Sequence, residues 1–237
     1  TYFFSQNEVI ASVRLKGLVK YLWEYGWEAT VLTVKYDALN NSYEAGNQKI
    51  FETDYEDPLW NWKKMLGLNP EKEVKEQLNL PVHKGKKDII DIVLQLWSEI
   101  FCYPDAAISW YRPAIDAGAH ILDNTSFDII LSSSSPVTSH LIASYLSKRY
   151  NIPWIADFRD PWTQSHLYPY SNIRRFWERR LELRVISSAR ALTTVSQPLV
   201  DKLSTIHRGK KIYSIPNGFD PDIVNPGSQV SEKFTIC

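Results

Sequence analysis

The residues most able to do chemistry in this 237-residue chain lie in one hexapeptide, Asp157-Phe158-Arg159-Asp160-Pro161-Trp162. It sets two carboxylates and a guanidinium close together, directly after the apolar run Trp154 to Phe158. Asp157 and Asp160 can bind or deprotonate a hydroxyl, and Arg159 can hold a phosphate through paired N–H donors. The competing reading is an Asp–Arg ion pair that pins the loop, with Trp162 as a core plug. A second cluster, Ser132-Ser133-Ser134-Ser135-Pro136, precedes a helical pattern in which Ser135 has N-cap chemistry and Pro136 suits a first helical position. Its amides and hydroxyls suit an anion or a sugar hydroxyl at a helix N-terminus. A plain capped turn is the alternative.

Two arginine features are open in the same way. Arg14, at the start of a first helix, either reaches a phosphate or sits on a solvated face. The segment Ile173 to Ser187 carries Arg174, Arg175, Arg179, Arg180 and Arg184 against Glu178 and Glu182. It can meet an anionic lipid headgroup or an anionic acceptor, but i,i+4 pairs such as Arg174 to Glu178 favour a solvated face. The five histidines (His83, His120, His140, His166, His207) show no i,i+4 pairing, so a zinc hydrolase is not supported and no metal is expected. No G-x-S-x-G, Walker A or G-x-G-x-x-G motif occurs, and with 9 glycines no dedicated dinucleotide loop is present.

The elements that must position these residues follow from periodicity. Leu15, Leu18, Val19 and Leu22 mark a first helix, with Gly26 as its terminator. Ala29 to Val34 reads as a strand, Gln48 to Glu52 as a weaker one, and Thr1 to Phe4 as the end of a strand. From about 55 to 124 the pattern is helical (58–66, 71–78, 88–101 and 105–122), which reads as a helical insertion. Strands at Phe127 to Leu131, Trp154 to Phe158, Ala191 to Val195 and Lys211 to Ile215 then alternate with helices. One carries Val137, Leu141, Ile142 and Tyr145; the others run over 173–187 and 198–205. Such alternation predicts an α/β, Rossmann-like, mainly parallel sheet with flanking helices. In such a sheet the ligand crevice lies at the carboxyl ends of the strands. The loops at 5–12, 132–136, 157–166, 196–197 and 217–218 are therefore the candidates. Turn formers from Pro216 to Ser228 read as a linker, and Lys233 to Cys237 as a strand beginning.

Composition sets the outer bounds. Lys+Arg and Asp+Glu are both 27, so there is no net charge with which to hold a polyanion, and nucleic acid is excluded as the main partner. A chain 44% hydrophobic and 23% charged is globular rather than disordered. Cys102 and Cys237 are the two cysteines and neither neighbours a histidine in ligand spacing, so a reducing compartment is expected. No apolar run approaches the ~18 to 20 residues that span a bilayer.

Three segments together resemble a known family. They are Trp154 to Trp162 preceded by the serine–proline turn, Leu192-Thr193-Thr194-Val195-Ser196, and Ile215-Pro216-Asn217-Gly218-Phe219-Asp220. In order and spacing they resemble the N-terminal domain of the family 4, GT-B-fold, retaining glycosyltransferases. The first helix with Arg14, followed by Gly26 and Val31-Leu32-Thr33, is similar to that domain's opening unit.

The resemblance implies transfer of a sugar from a nucleotide-sugar donor to a glycan or lipid-linked acceptor, in polysaccharide or glycoconjugate synthesis. The nucleotide sugar is a substrate, and neither cofactor nor metal is implied. Residues 1–220 would form the acceptor-side domain, and 221–237 the linker and first strand of a C-terminal domain that mainly holds the donor. Residues 1–237 alone are therefore expected to be inactive. Arg159-Asp160 occupies the place where many members have His or His-Asp, which makes Asp160 and Arg159 the candidate catalytic pair. Arg14, Ser134, Ser135, Asp157, Trp162 and Ser196 are candidate substrate-binding residues, and Asn217 and Gly218 the hinge beside the donor. Ser5-Gln6-Asn7-Glu8 replaces the frequent Gly-Gly of the first loop. The implied location is the cytoplasm, with peripheral contact at the inner membrane face and no nucleic acid. Two readings compete: a GT-B-fold nucleotide-sugar epimerase, and a non-catalytic sugar- or nucleotide-binding module.

Overall fold

The computed structural model describes residues 1–4, 10–35, 49–55, 102–166, 168 and 170–218. The helices expected at 58–66, 71–78 and 88–101, the loop Ser5 to Glu8, and everything after Gly218 lie outside the described residues. Within them the chain alternates helix and strand as the periodicity predicts. Helix α1 (Ile10–Leu22) is followed by a 3-10 turn, Trp23–Tyr25, and by strands β1 (Thr30–Val34) and β2 (Lys49–Thr53). Then come a 3-10 turn (Ala106–Trp110), α2 (Tyr111–Asn124), β3 (Ile130–Ser134) and α3 (Thr138–Tyr150). The chain goes on through β4 (Trp154–Phe158), α4 (Asn172–Ile186), β5 (Ala191–Thr194), α5 (Gln197–Ile206) and β6 (Ile212–Ser214). All strand pairs are parallel: β1 with β2, and a four-stranded sheet in the order β3-β4-β5-β6.

Each helix is held by what its inner face meets. Leu15 and Val19, one turn apart on α1, pack with Phe4, Val31 and Ile50. Gly26, at φ 79°, closes the following 3-10 turn by donating its N–H to Trp23 O, a left-handed conformation that glycine adopts without steric cost. The largest core cluster joins Trp154, Ala156 and Phe158 of β4 to Leu192 of β5, Val185 and Ile186 of α4, Leu203 of α5, and Trp162. Helix α3 is built of small residues because it is buried over most of its length: Ser139, Ala143, Ser144 and Ser147 are all inaccessible. The Ser144 hydroxyl bonds the Ser188 hydroxyl at 2.9 Å, and Ser188 Oγ accepts the indole N–H of Trp154 at 3.0 Å.

The last helix of the 55–124 stretch is integral to the domain. Ala114 and Ile115 of α2 pack with Val34 of β1 and with Ile142 and Leu146 of α3. In the preceding turn Trp110 donates its indole N–H to Thr53 Oγ1 at 2.7 Å, which ties this unit to β2.

Four expectations change. Thr1 to Phe4 runs beside β1 without a strand ladder, because the Thr33 hydroxyl replaces the rungs: it donates to Tyr2 O at 2.9 Å and accepts from Phe4 N at 3.4 Å. Strand β3 is displaced towards its C-terminus relative to 127–131, so Ser132 to Ser134 are buried strand residues rather than a turn. They are tolerated there because partners wait: Ser132 Oγ lies 2.8 Å from His140 Nδ1, and Ser133 Oγ donates to Asp157 Oδ2 at 2.8 Å. Ser135 and Pro136 do not cap α3, which begins at Thr138. The cap comes from another loop, where Asp105 Oδ2 accepts from Thr138 N at 3.0 Å and Oδ1 from Thr138 Oγ1 at 2.7 Å. The same Oδ1 caps the turn before α2 by accepting from Ala107 N at 2.9 Å. Finally, the arginine-rich helix does not present a solvated ion-pair face. Arg174 and Glu178 do pair at i,i+4, but with side-chain exposures of 4% and 1%.

Burial pushes the Asp105 carboxyl up, and its hydrogen bonds from Thr138 and Ala107 pull it back. Asp105→Ala removes two caps at once and is expected to lower stability by about 2 kcal/mol, read as the urea midpoint. Burial also holds His140 at about 3. Between that value and the ordinary ~6.5 the unfolded chain binds a proton that the folded chain refuses, so stability falls with pH by up to about 1.4 kcal/mol per unit. The change in urea midpoint from pH 7 to pH 5 is expected to be smaller in His140→Asn than in the parent.

Candidate functional site

The carboxyl ends of β3, β4 and β5 are joined by one residue. Strand register sets Ser133 opposite Asp157, and Asp157 opposite Thr193, so the three side chains form a row on one face of the sheet. Asp157 is buried. Its Oδ2 accepts from Ser133 Oγ at 2.8 Å and its Oδ1 from Thr193 Oγ1 at 2.7 Å. Arg14 from α1 completes the shell in a forked pair, Nε to Oδ2 at 3.3 Å and Nη2 to Oδ1 at 3.1 Å. Arg14 Nη1 continues to Ile215 O at 2.8 Å, Pro216 O at 3.3 Å and Asn217 Oδ1 at 3.1 Å. One guanidinium therefore joins α1, the centre of the sheet and the chain leaving β6. Arg14 and Asp157, expected to touch substrate, are paired in this internal lock, and the Arg14 side chain also lines the cavity above it.

Above the row lies a small cavity lined by Phe3, Arg14, Ser133, Ser134, Ser135 and Arg159. Ser134 Oγ is buried and has no hydrogen-bond partner among the described residues. Ser135 is exposed at the rim. Arg159 reaches the cavity while its Nε donates to Asp160 Oδ2 at 2.9 Å, with side chains 28% and 60% exposed. The pair thus sits at the crevice mouth with the carboxylate turned largely to solvent.

The loop that carries this pair is fastened from beneath by α4. Trp162 belongs to the core: it is buried, and its indole N–H donates to Glu178 Oε2 at 2.9 Å. It is a core plug whose one polar atom points inward. Thr163 donates its N–H at 3.3 Å, and its hydroxyl, to Glu182 Oε2, while Glu182 Oε1 meets His207 Nε2 at 3.1 Å. Glu178 takes Arg174, whose Nη2 also donates to Cys102 O and Pro104 O at 2.8 Å each and whose guanidinium lies 3.4 Å from the Tyr170 ring centroid. Glu182, His207 and Thr193 escape a reading of the sequence because their partners lie far away in the chain, and for Glu178 the spacing shows Arg174 but not Trp162. Only the common strand position of Ser133, Asp157 and Thr193 hints at the row.

The remaining candidates are spread out. Ser196 precedes α5 with no side-chain cap, its carbonyl accepting from Leu199 and Val200 at 3.1 Å each. It does not line the cavity. Asn217 is drawn to the site through Arg14. Gly218 is exposed, with open space where a Cβ would stand. Among the described residues no group of three or more His, Cys, Asp or Glu is placed to hold a metal ion, and no helix is long and apolar enough to cross a membrane.

A model of the family described as Glycosyltransferase Family 4 matches residues 11–223. The chain belongs to glycosyltransferase family 4. No curated protein matches it. The family match runs from within α1 to beyond β6, so it takes in the lock, the cavity and the loop after β4. The parallel sheets and flanking helices are those of a Rossmann-like half of a GT-B fold, and the glycosyltransferase assignment implies a sugar donor and an acceptor as substrates. In this family 4 domain the Arg14–Asp157 pair carries stability. Asp157→Ala takes the shared acceptor from the partly buried Arg14 guanidinium and from the buried Ser133 and Thr193 hydroxyls and is expected to cost about 3 kcal/mol, read by urea denaturation. The double variant Arg14→Met/Asp157→Ala is expected to lose less than the sum of the two single losses.

Proposed function

We propose that this domain forms the acceptor-side half of a retaining glycosyltransferase that moves a sugar from a nucleotide-sugar donor to a glycan or lipid-linked acceptor. No metal is needed on this reading. The observation that carries it is the meeting of Arg159 with Ser134 and Ser135 at one cavity beyond the strand ends, above a floor already closed by Arg14 and Asp157. Because the Asp157 carboxylate is saturated, the groups left to address a ligand are the Arg159 guanidinium, the Asp160 carboxylate and the buried Ser134 hydroxyl. Sugar transfer from a nucleotide builds negative charge on the departing phosphate, and a preorganised guanidinium is suited to stabilise it. Asp160 orients Arg159 through their ion pair and presents a second oxygen to a sugar hydroxyl. Ser134 supplies a neutral donor and acceptor for another hydroxyl.

The Arg159–Asp160 ion pair favours one competing reading, in which the pair only pins the loop and the module binds sugar without transferring it. Turnover of a panel of nucleotide sugars by the whole protein separates the two. On the transferase reading Arg159→Ala and Asp160→Asn each lower kcat/KM by about tenfold or more, with an unchanged urea midpoint. Unaltered kcat/KM in both variants would rule out a substrate contact by either residue.

A further inference from the structure

Helix α4 is amphipathic in an inverted sense. Its acidic residues, Glu178 and Glu182, and Arg174 face inward, where each has a buried partner. Its outward face carries Ile173, Phe176, Trp177 and Leu183, exposed by 76%, 53%, 56% and 41%. Between them stand the exposed Arg179, Arg180 and Arg184, with no acidic residue on that face. The Arg180 guanidinium lies 4.4 Å from the Phe176 ring centroid and 5.6 Å from that of Trp177, so charge and aromatic surface form one patch.

We propose that this face of α4 docks the domain on an anionic lipid bilayer, with the helix lying in the plane of the headgroups. A contiguous exposed apolar patch on a soluble domain marks an interaction surface. Charge complementarity selects the occupant: an unbroken set of exposed arginines with no acidic residue on the same face is repelled by basic surfaces and drawn to phosphate. Aromatic rings beside arginines suit the boundary between headgroup and acyl chain, where the rings sink and the guanidiniums meet phosphates. The 15-residue helix offers roughly 22 Å of such surface. The inward glutamates keep the arrangement one-sided, because buried partners hold their charge away from the membrane. This proposal does not rest on the transferase reading.

The test is cosedimentation of the chain with phosphatidylcholine vesicles with and without phosphatidylglycerol. The expected result is binding to the anionic vesicles that falls about tenfold or more in Arg179→Gln/Arg180→Gln/Arg184→Gln and in Phe176→Ser/Trp177→Ser, and that weakens with added salt. Thermal melting checks that these exposed substitutions leave the fold intact, and Trp177→Ser alone replaces a variant that melts early. Absence of binding to anionic vesicles, equal binding to both vesicle types, or retained binding by the variants would overturn the proposal. So would a concentration-dependent dimer abolished by Phe176→Ser/Trp177→Ser, which would assign the face to a second copy of the chain.

Discussion

A carboxylate buried in the middle of a parallel sheet is tolerated only where donors meet its lone pairs, since stripping water from an unpaired ion costs several kcal/mol. Asp157 meets that condition with four hydrogen bonds from Ser133, Thr193 and Arg14. Each donor brings an element with it: Ser133 brings β3, Thr193 brings β5 and Arg14 brings α1. Through Arg14 Nη1 the segment after β6 is drawn in as well. The carboxyl end of the sheet is therefore set by electrostatics, while apolar packing sets the body of the core. A surface ion pair of the Arg159–Asp160 kind contributes roughly 0 to 1 kcal/mol. It can accordingly open to a ligand, whereas the Arg14–Asp157 pair cannot without loss of the floor.

The loop after β4 shows the same division of labour one layer down. Glu178 and Glu182 are carboxylates on the inner face of α4, and each is answered by groups from the loop and by a cation or histidine. These contacts determine where Arg159 and Asp160 emerge. They also turn the helix around: with the acids committed inward, the aromatic side chains and the remaining arginines are left outside. The support of the crevice and the exposed basic, aromatic face are two sides of one helix.

Much of the architecture was legible in the residues. Leu15 and Val19 with Gly26, the run Ala29 to Val34, and the alternation beyond residue 150 all predict what is found, because local periodicity and turn chemistry decide them. Placing Arg159-Asp160 beyond a parallel strand was legible for the same reason. The serines of β3 were not. A run of hydroxyls reads as a turn unless its partners are known, and those partners, Asp157 and His140, come from the next strand and the next helix. The cap of α3 escaped likewise, since Asp105 stands well outside the helix it caps. Arg14, Asp157 and Trp162 were recognised as important while their direction was not, because a side chain's environment depends on elements remote in the chain.

The amino-acid order alone determined the α/β class, the parallel alternation, the position of the crevice and the loop that opens on it, since each follows from short-range spacing and from the geometry of βα units. Only the tertiary structure decided which polar groups face the crevice and which are used up beneath it. Burial and pairing of charge are properties of neighbours in space. They commit Asp157, Glu178 and Glu182 to the interior and pair Arg14 with the first of them, and they leave Arg159 and Ser134 at the cavity, Asp160 beside Arg159, and Phe176, Trp177 and Arg180 on the surface.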